Sequence, residues 1–148
     1  MKIREFSRTT WLPRPVAEIF PFFADAANLQ LLTPPWLKFE ILRPHQIDLR
    51  RGTLIDYRLR IHGIPLRWQS EITAWVPPNG FTDEQRRGPY RMWRHQHRFV
   101  ERDGGSEIID IIHYAVAFDW LVHRFFVKRD IERIFGFREQ TLREIFPV

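Results

Sequence analysis

GFTDEQRRGPYRMWRHQHRFVERDGGSEIIDIIHYAVAF, residues 80–118, decides the architecture. At its centre is Asp103-Gly104, a dipeptide that readily takes the positive φ angles of a two-residue hairpin turn. Strands are therefore predicted at about 90–102 and 106–118, with another at about 80–87 set off by Gly88-Pro89. A two-residue loop pairs Arg102 with Gly105, and so His97 with Asp110, His95 with Ile112 and Trp93 with Tyr114. A three-residue loop would set His95 opposite His113 and turn Asp110 outward. Turn chemistry favours the first register, which also buries Ile108, Ile112 and Val116 together.

Side chains alternate faces along a strand. Thr82, Glu84, Arg86, Met92, Arg94, Gln96 and Arg98 form one mostly polar, solvent-facing set. Phe81, Asp83, Gln85, Trp93, His95, His97 and Phe99 form the other, assigned to the interior together with Asp110 and Tyr114. That inner wall is polar for a core, because buried Asp, Gln and His each need hydrogen-bond partners.

Working outward, Thr53–Ile61 alternates Ile55, Tyr57, Leu59 and Ile61 against Asp56, Arg58 and Arg60, the period of a half-buried strand. His62-Gly63-Ile64-Pro65 reads as a turn, and Leu66–Val76 returns with Trp68, Ser70, Ile72 and Ala74 on one face. Residues 2–11 and about 38–42 are further strands. Between them Pro15 opens a short helix that Pro21 is expected to cut, and Asp25 can cap a second one reaching Leu32. After the last strand, Asp119 is a candidate cap for a long amphipathic helix. Its apolar stripe is Val127, Ile131, Ile134, Phe135, Leu142 and Ile145. Arg138 falls on that stripe, where a charge is costly unless paired. Helices segregated to one face of an antiparallel sheet make an α+β domain, expected to be a single unit over 1–148. A bent sheet around one helix leaves a cavity between them.

Composition narrows the partners. Thirteen Phe and six Trp suit a wide core or an apolar ligand site. With no Cys, disulfides, iron–sulfur clusters and thiolate zinc sites are excluded. The charge of +5 comes mostly from Arg scattered along strands, so no nucleic-acid partner is expected. An anionic partner or peripheral contact with a lipid surface stays open. With neither a leader-like apolar segment nor a run approaching the ~18 apolar residues of a membrane span, a cytoplasmic location is expected.

This order of elements resembles the START/Bet v 1-like superfamily (SRPBCC), the helix-grip proteins. The likeness spans nearly the whole chain. LQLLTPPW (29–36), GIPLRWQSEITAW (63–75), FTDEQRRGPYRMWRHQHRF (81–99) and DIIHY (110–114) are similar to a bacterial subgroup of small stand-alone, polyketide cyclase/dehydrase-like members. The resemblance implies a curved antiparallel sheet of six or seven strands around a long C-terminal helix, with two short helices after the first strand. It also implies an internal pocket for apolar or amphipathic ligands such as lipids, sterols or polyketides. Some members of the superfamily are cyclases, dehydratases or hydrolases, and many only bind.

The candidate ligand-binding residues are Tyr57, Trp68, Asp83, Gln85, Trp93, His95, His97, Asp110, Tyr114, Phe135 and Arg138. Arg138 would hold the anionic end of a ligand or pair with Asp83 or Asp110. Phe22, Phe23, Trp36 and Leu37 are candidates for the cavity mouth. Trp120, Phe125 and Phe126 are candidates for an entrance or a dimer contact. If the cavity catalyses, His97 with Asp110 is the acid–base pair, with His95 the alternative base, and no serine sits where it would complete a triad. The bland alternative is a satisfied polar cluster that fixes strand register. His95 and His97 with Asp83 or Asp110 have a composition compatible with zinc or iron(II), but i, i+2 histidines are common in strands, so neither metal nor cofactor is expected. An interaction module with a vestigial cavity, monomeric or homodimeric, is the remaining reading.

Overall fold

The computed structural model describes residues 1–43 and 48–148. One antiparallel, curved sheet of seven strands runs in the order β1-β7-β6-β5-β4-β3-β2. The strands are β1 (Arg4–Leu12), β2 (Glu40–Arg43), β3 (Leu54–Ile61), β4 (Ile64–Val76), β5 (Gly80–Arg87), β6 (Met92–Arg102) and β7 (Gly105–Ala115). Helices α1 (Val16–Phe23) and α2 (Leu29–Leu32) follow the first strand. A long helix closes the chain as α3 (Asp119–Val122), a π-helical turn (His123–Val127) and α4 (Lys128–Ile145). This is the α+β helix-grip arrangement that the resemblance implied.

The deciding hairpin takes the two-residue register. Arg102 faces Gly105, His97 faces Asp110 and Trp93 faces Tyr114, while Asp103 and Gly104 carry φ of 53° and 76°. Ile108 and Ile112 are fully buried as a result.

Several local expectations are corrected. Pro21 does not cut α1, which runs on to Phe23. The proline ring lies on the exposed side, while Val16, Ile19, Phe20 and Phe23 anchor the buried face. Asp25 does cap the next segment, its Oδ1 accepting from the Ala27 amide at 3.0 Å. Asp119 does not cap the long helix. Phe118 stands at that position, and the Asp119 carboxylate instead receives both arms of Arg4 at 2.8 Å. The turn before β4 shortens to His62-Gly63, leaving Ile64 and Pro65 in the strand. Register shifts in the β4–β5 pairing at Gln69/Ser70 and Ile72/Ala74 break simple alternation. Past the second shift it is Trp75 that packs against Phe20 and Phe81.

Two apolar clusters pin the sheet to the helices. Leu12, Ile19, Phe20, Phe23, Phe99, Ile108 and Leu142 pack under α1, and Ile112, Tyr114, Val127, Ile131 and Phe135 pack under the first half of the long helix. Of the predicted stripe, Ile131, Phe135 and Leu142 are buried on α4 with Arg138, Ile134 and Ile145 are half-buried, and Val127 is buried in the preceding π-helical turn. Gly80 allows β5 to approach β6 beside the site, because a Cβ there would meet the carbonyl oxygen of His97. Gly80→Ala is expected to cost about 1–3 kcal/mol of stability in chemical denaturation, by forcing the two strands apart.

Candidate functional site

The cavity between sheet and long helix encloses about 180 Å³. Its apolar walls come from β3, β4, α2 and α4, among them Leu32, Ile55, Leu59, Ile72, Ile134 and Phe135. Tyr57 and Trp68 stack at 5.8 Å, and Trp68 meets Trp93 edge-on at 5.5 Å. One end is polar, formed by Asp83, His95, His97 and Arg138.

Strand geometry builds that end. His95 and His97, two residues apart on β6, stack at 3.6 Å between ring centroids, and Phe81 stacks on His97 at 4.0 Å. Asp83 on β5 and Asp110 on β7 flank the pair from opposite sides. His97 faces Asp110 in the strand register, yet its Nε2–H donates to Asp83 at 2.6 Å. The Asp110 Oδ1 accepts from His95 Nε2 at 2.7 Å. The expected His97–Asp110 pair is therefore replaced by two diagonal pairs, because each imidazole leans across to the carboxylate that completes its hydrogen bond.

Arg138 comes down from α4 onto this layer. Its Nη2 lies 3.3 Å from both His97 Nδ1 and Asp110 Oδ1. Both ring nitrogens of His97 are thus engaged: Nε2 as donor to a carboxylate, Nδ1 as acceptor from a guanidinium. Burial, with neighbouring His95 adding to it, pushes His97 down to about 4, so it is neutral at pH 7. Burial alone would raise the Asp110 carboxyl. The Arg138 charge and the His95 hydrogen bond outweigh that and hold it well below the usual carboxylate range. Asp83 is lowered against its burial by the His97 hydrogen bond.

Three groups in the cavity lining lack a hydrogen bond among the described residues. Trp68 Nε1 and Arg138 Nε are buried donors without a partner among the described residues. His95 Nδ1 lies 3.9 Å from Asp83, too far to bond. A buried donor without an acceptor costs about 1–3 kcal/mol.

Tyr57, Trp68, Asp83, Trp93, His95, His97, Phe135 and Arg138 all line the cavity. Three candidates do not. Gln85 is spent on the β5–β6 turn, where its amide clasps both backbone groups of Tyr90 at 2.7 and 3.1 Å. Asp110 sits behind His95 and Arg138, and the Tyr114 hydroxyl bonds His123 Nε2 at 2.7 Å in the adjacent cluster. Of the mouth candidates, Leu37 lines the cavity. Phe22 packs on Phe146 and Phe23 on Phe99, while Trp36 lies outside, against Phe137. Tyr90, Phe39 and Thr33 are lining residues that strand parity could not find, since they stand in turns and loops.

Asp83, His95 and His97 are also the grouping of metal-ligating side chains among the described residues, with donor atoms within 4.8 Å of one another. Stacked imidazoles present faces to each other rather than converging lone pairs, and Arg138 adds a positive charge at 3.3 Å from His97. Both features oppose a cation.

Residues 12–138 match the family described as polyketide cyclase / dehydrase and lipid transport. The chain belongs to that family. No curated protein matches it in sequence. The fold of this polyketide cyclase/dehydrase-family chain recurs in solved structures of low identity. Protein Ms6760 from Mycobacterium smegmatis is 18% identical, with TM-score 0.71 over 98% of this chain and 96% of that one. Protein CV1439 from Chromobacterium violaceum is 12% identical, with TM-score 0.76 over 97% and 98%. Major latex-like protein 151 from Panax ginseng is 10% identical, with TM-score 0.72 over 99% of each. At these identities they show the shared fold. No helix among the described residues is long and apolar enough to cross a membrane.

Proposed function

We propose that the protein binds a small, largely apolar molecule ending in a hydrogen-bond acceptor, a carboxylate, enolate or carbonyl. The observation that carries this reading is a cavity with apolar walls and one polar end, whose lining residues Trp68 and Arg138 each keep a donor, Nε1 and Nε, without a partner among the described residues. An acceptor group at the polar end of the cavity would meet the Arg138 guanidinium, which favours an anionic one. A cavity of about 180 Å³ with Leu, Ile, Tyr and Trp walls has room for the apolar body of such a molecule.

Calorimetric titration with cinnamate and with the matching cinnamyl alcohol tests this. The carboxylate is expected to bind about tenfold more tightly or better. Trp68→Phe keeps a ring in place and removes one donor. It should weaken cinnamate by about 3–10-fold while leaving stability within about 1 kcal/mol. Equal affinity for acid and alcohol, or an unaffected Trp68→Phe variant, would overturn the reading.

A second reading, a cyclase/dehydratase-type enzyme, is favoured by the unengaged His95 Nδ1, with Asp110 fixing the tautomer through Nε2. His95, not His97, is then the base. A bound aryl methyl ketone would give up a methyl proton to His95 Nδ1, and the Arg138 guanidinium in the same lining would stabilise the enolate charge. Protein-dependent hydrogen–deuterium exchange at the methyl of acetophenone, lost in His95→Gln, would support it. Exchange at the background rate removes it.

A further inference from the structure

The first turns of the long helix carry an apolar surface that the cavity does not use. Trp120 is 75% exposed and Phe118 71%, and Leu121, Phe125 and Phe126 are exposed with them. A π-helical turn at His123–Val127 carries part of this surface. His123 and Val127 are its buried residues, His123 reaching the Tyr114 hydroxyl at 2.7 Å. Arg124, Phe125 and Phe126 swing outward together. Phe126 meets His62 of the β3–β4 turn at 5.7 Å, beside which Ile64 is exposed.

Cations interleave with these rings. Arg124, Lys128 and Arg129 are exposed, and Arg124 lies over the Phe125 ring at 5.7 Å. Two acids of the same turns are already taken, Asp119 by Arg4 at 2.8 Å and Asp130 by His62 at 2.9 Å. Glu132 lies one turn further along. Exposed Trp and Phe beside Arg and Lys that form no ion pair among the described residues have the chemistry of a helix lying in a lipid interface, where rings enter the headgroup boundary and cations meet anionic headgroups.

We propose that this face docks the protein on an anionic lipid surface through Trp120, Phe125 and Phe126, with Arg124, Lys128 and Arg129 over the headgroups. Charge decides between this occupant and a second copy of the chain. Two copies would bring like cations together as the rings were buried, whereas an anionic bilayer neutralises them. The docking surface lies outside the cavity lining and does not depend on what the cavity holds.

Flotation of the full chain with vesicles of phosphatidylcholine, with and without phosphatidylglycerol, tests it. Partitioning onto the phosphatidylglycerol-containing vesicles is expected to be about tenfold stronger or more, and to weaken with added salt. Trp120→Ala/Phe125→Ala should lose about tenfold or more of that binding with an unchanged thermal melt, since both rings are exposed. Arg124→Gln/Lys128→Gln/Arg129→Gln should abolish the preference for the anionic vesicles. Equal or absent binding to the two vesicle types would overturn the proposal. So would a dimer in light scattering that Trp120→Ala/Phe125→Ala dissociates, because a second copy would then cover the face.

Discussion

Asp110→Ala is expected to destabilise the protein by about 3–5 kcal/mol, measured by chemical denaturation at pH 7. Asp110 is 2% exposed and receives hydrogen bonds from His95 Nε2 at 2.7 Å and Arg138 Nη2 at 3.3 Å. Removing it strands a buried guanidinium, which costs far more than the net worth of an intact pair. The double variant Asp110→Ala/Arg138→Met removes both charges and should recover most of the loss, giving strong non-additivity. A single variant costing less than about 1 kcal/mol would show that Arg138 does not depend on this carboxylate.

Acid should weaken the fold before the carboxylates as a class begin to titrate. His97 has a folded value of about 4 against about 6.5 when unfolded. Between those values the unfolded chain binds the extra proton, so stability is complete above about pH 6.5 and falls as pH drops toward 4. Over that window the His97 contribution lost is about 3 kcal/mol. Asp83 and Asp110 are both held low, so their own loss follows at lower pH still. Denaturation midpoints from pH 8 to 4 check this, with His97→Gln as the control whose slope between 6.5 and 4 should flatten. A parent protein equally stable at 7 and 5 would contradict a neutral, buried His97.

Much of the site was legible because one dipeptide constrains it. Asp103-Gly104 sets the β6–β7 register, and that register with strand parity places His95, His97 and Asp110 in one layer. Helical spacing brought Arg138 to the same layer, since a charge between Phe135 and Leu142 must face the sheet. Parity stops at the backbone, however. It could not say that each histidine bonds the diagonal aspartate, which depends on side-chain reach across strands. Nor could it see the register shifts that turn Trp75 inward, or the Gln85 amide clasping Tyr90, which removes one candidate and supplies another lining residue. The π-helical turn was equally hidden, because inserting one residue's worth of rotation changes which side chains face out without changing the apolar count.

That the cavity receives a ligand with an acceptor group is tested most directly at Trp68. In a nitrogen–proton correlation spectrum titrated with cinnamate, the Trp68 indole Nε1–H, assigned by its absence in Trp68→Phe, should shift as a new hydrogen bond forms. The indoles of exposed Trp36 and Trp120 should stay in place. A Trp68 signal that does not move while Trp36 or Trp120 does would place the ligand on the surface and contradict the account.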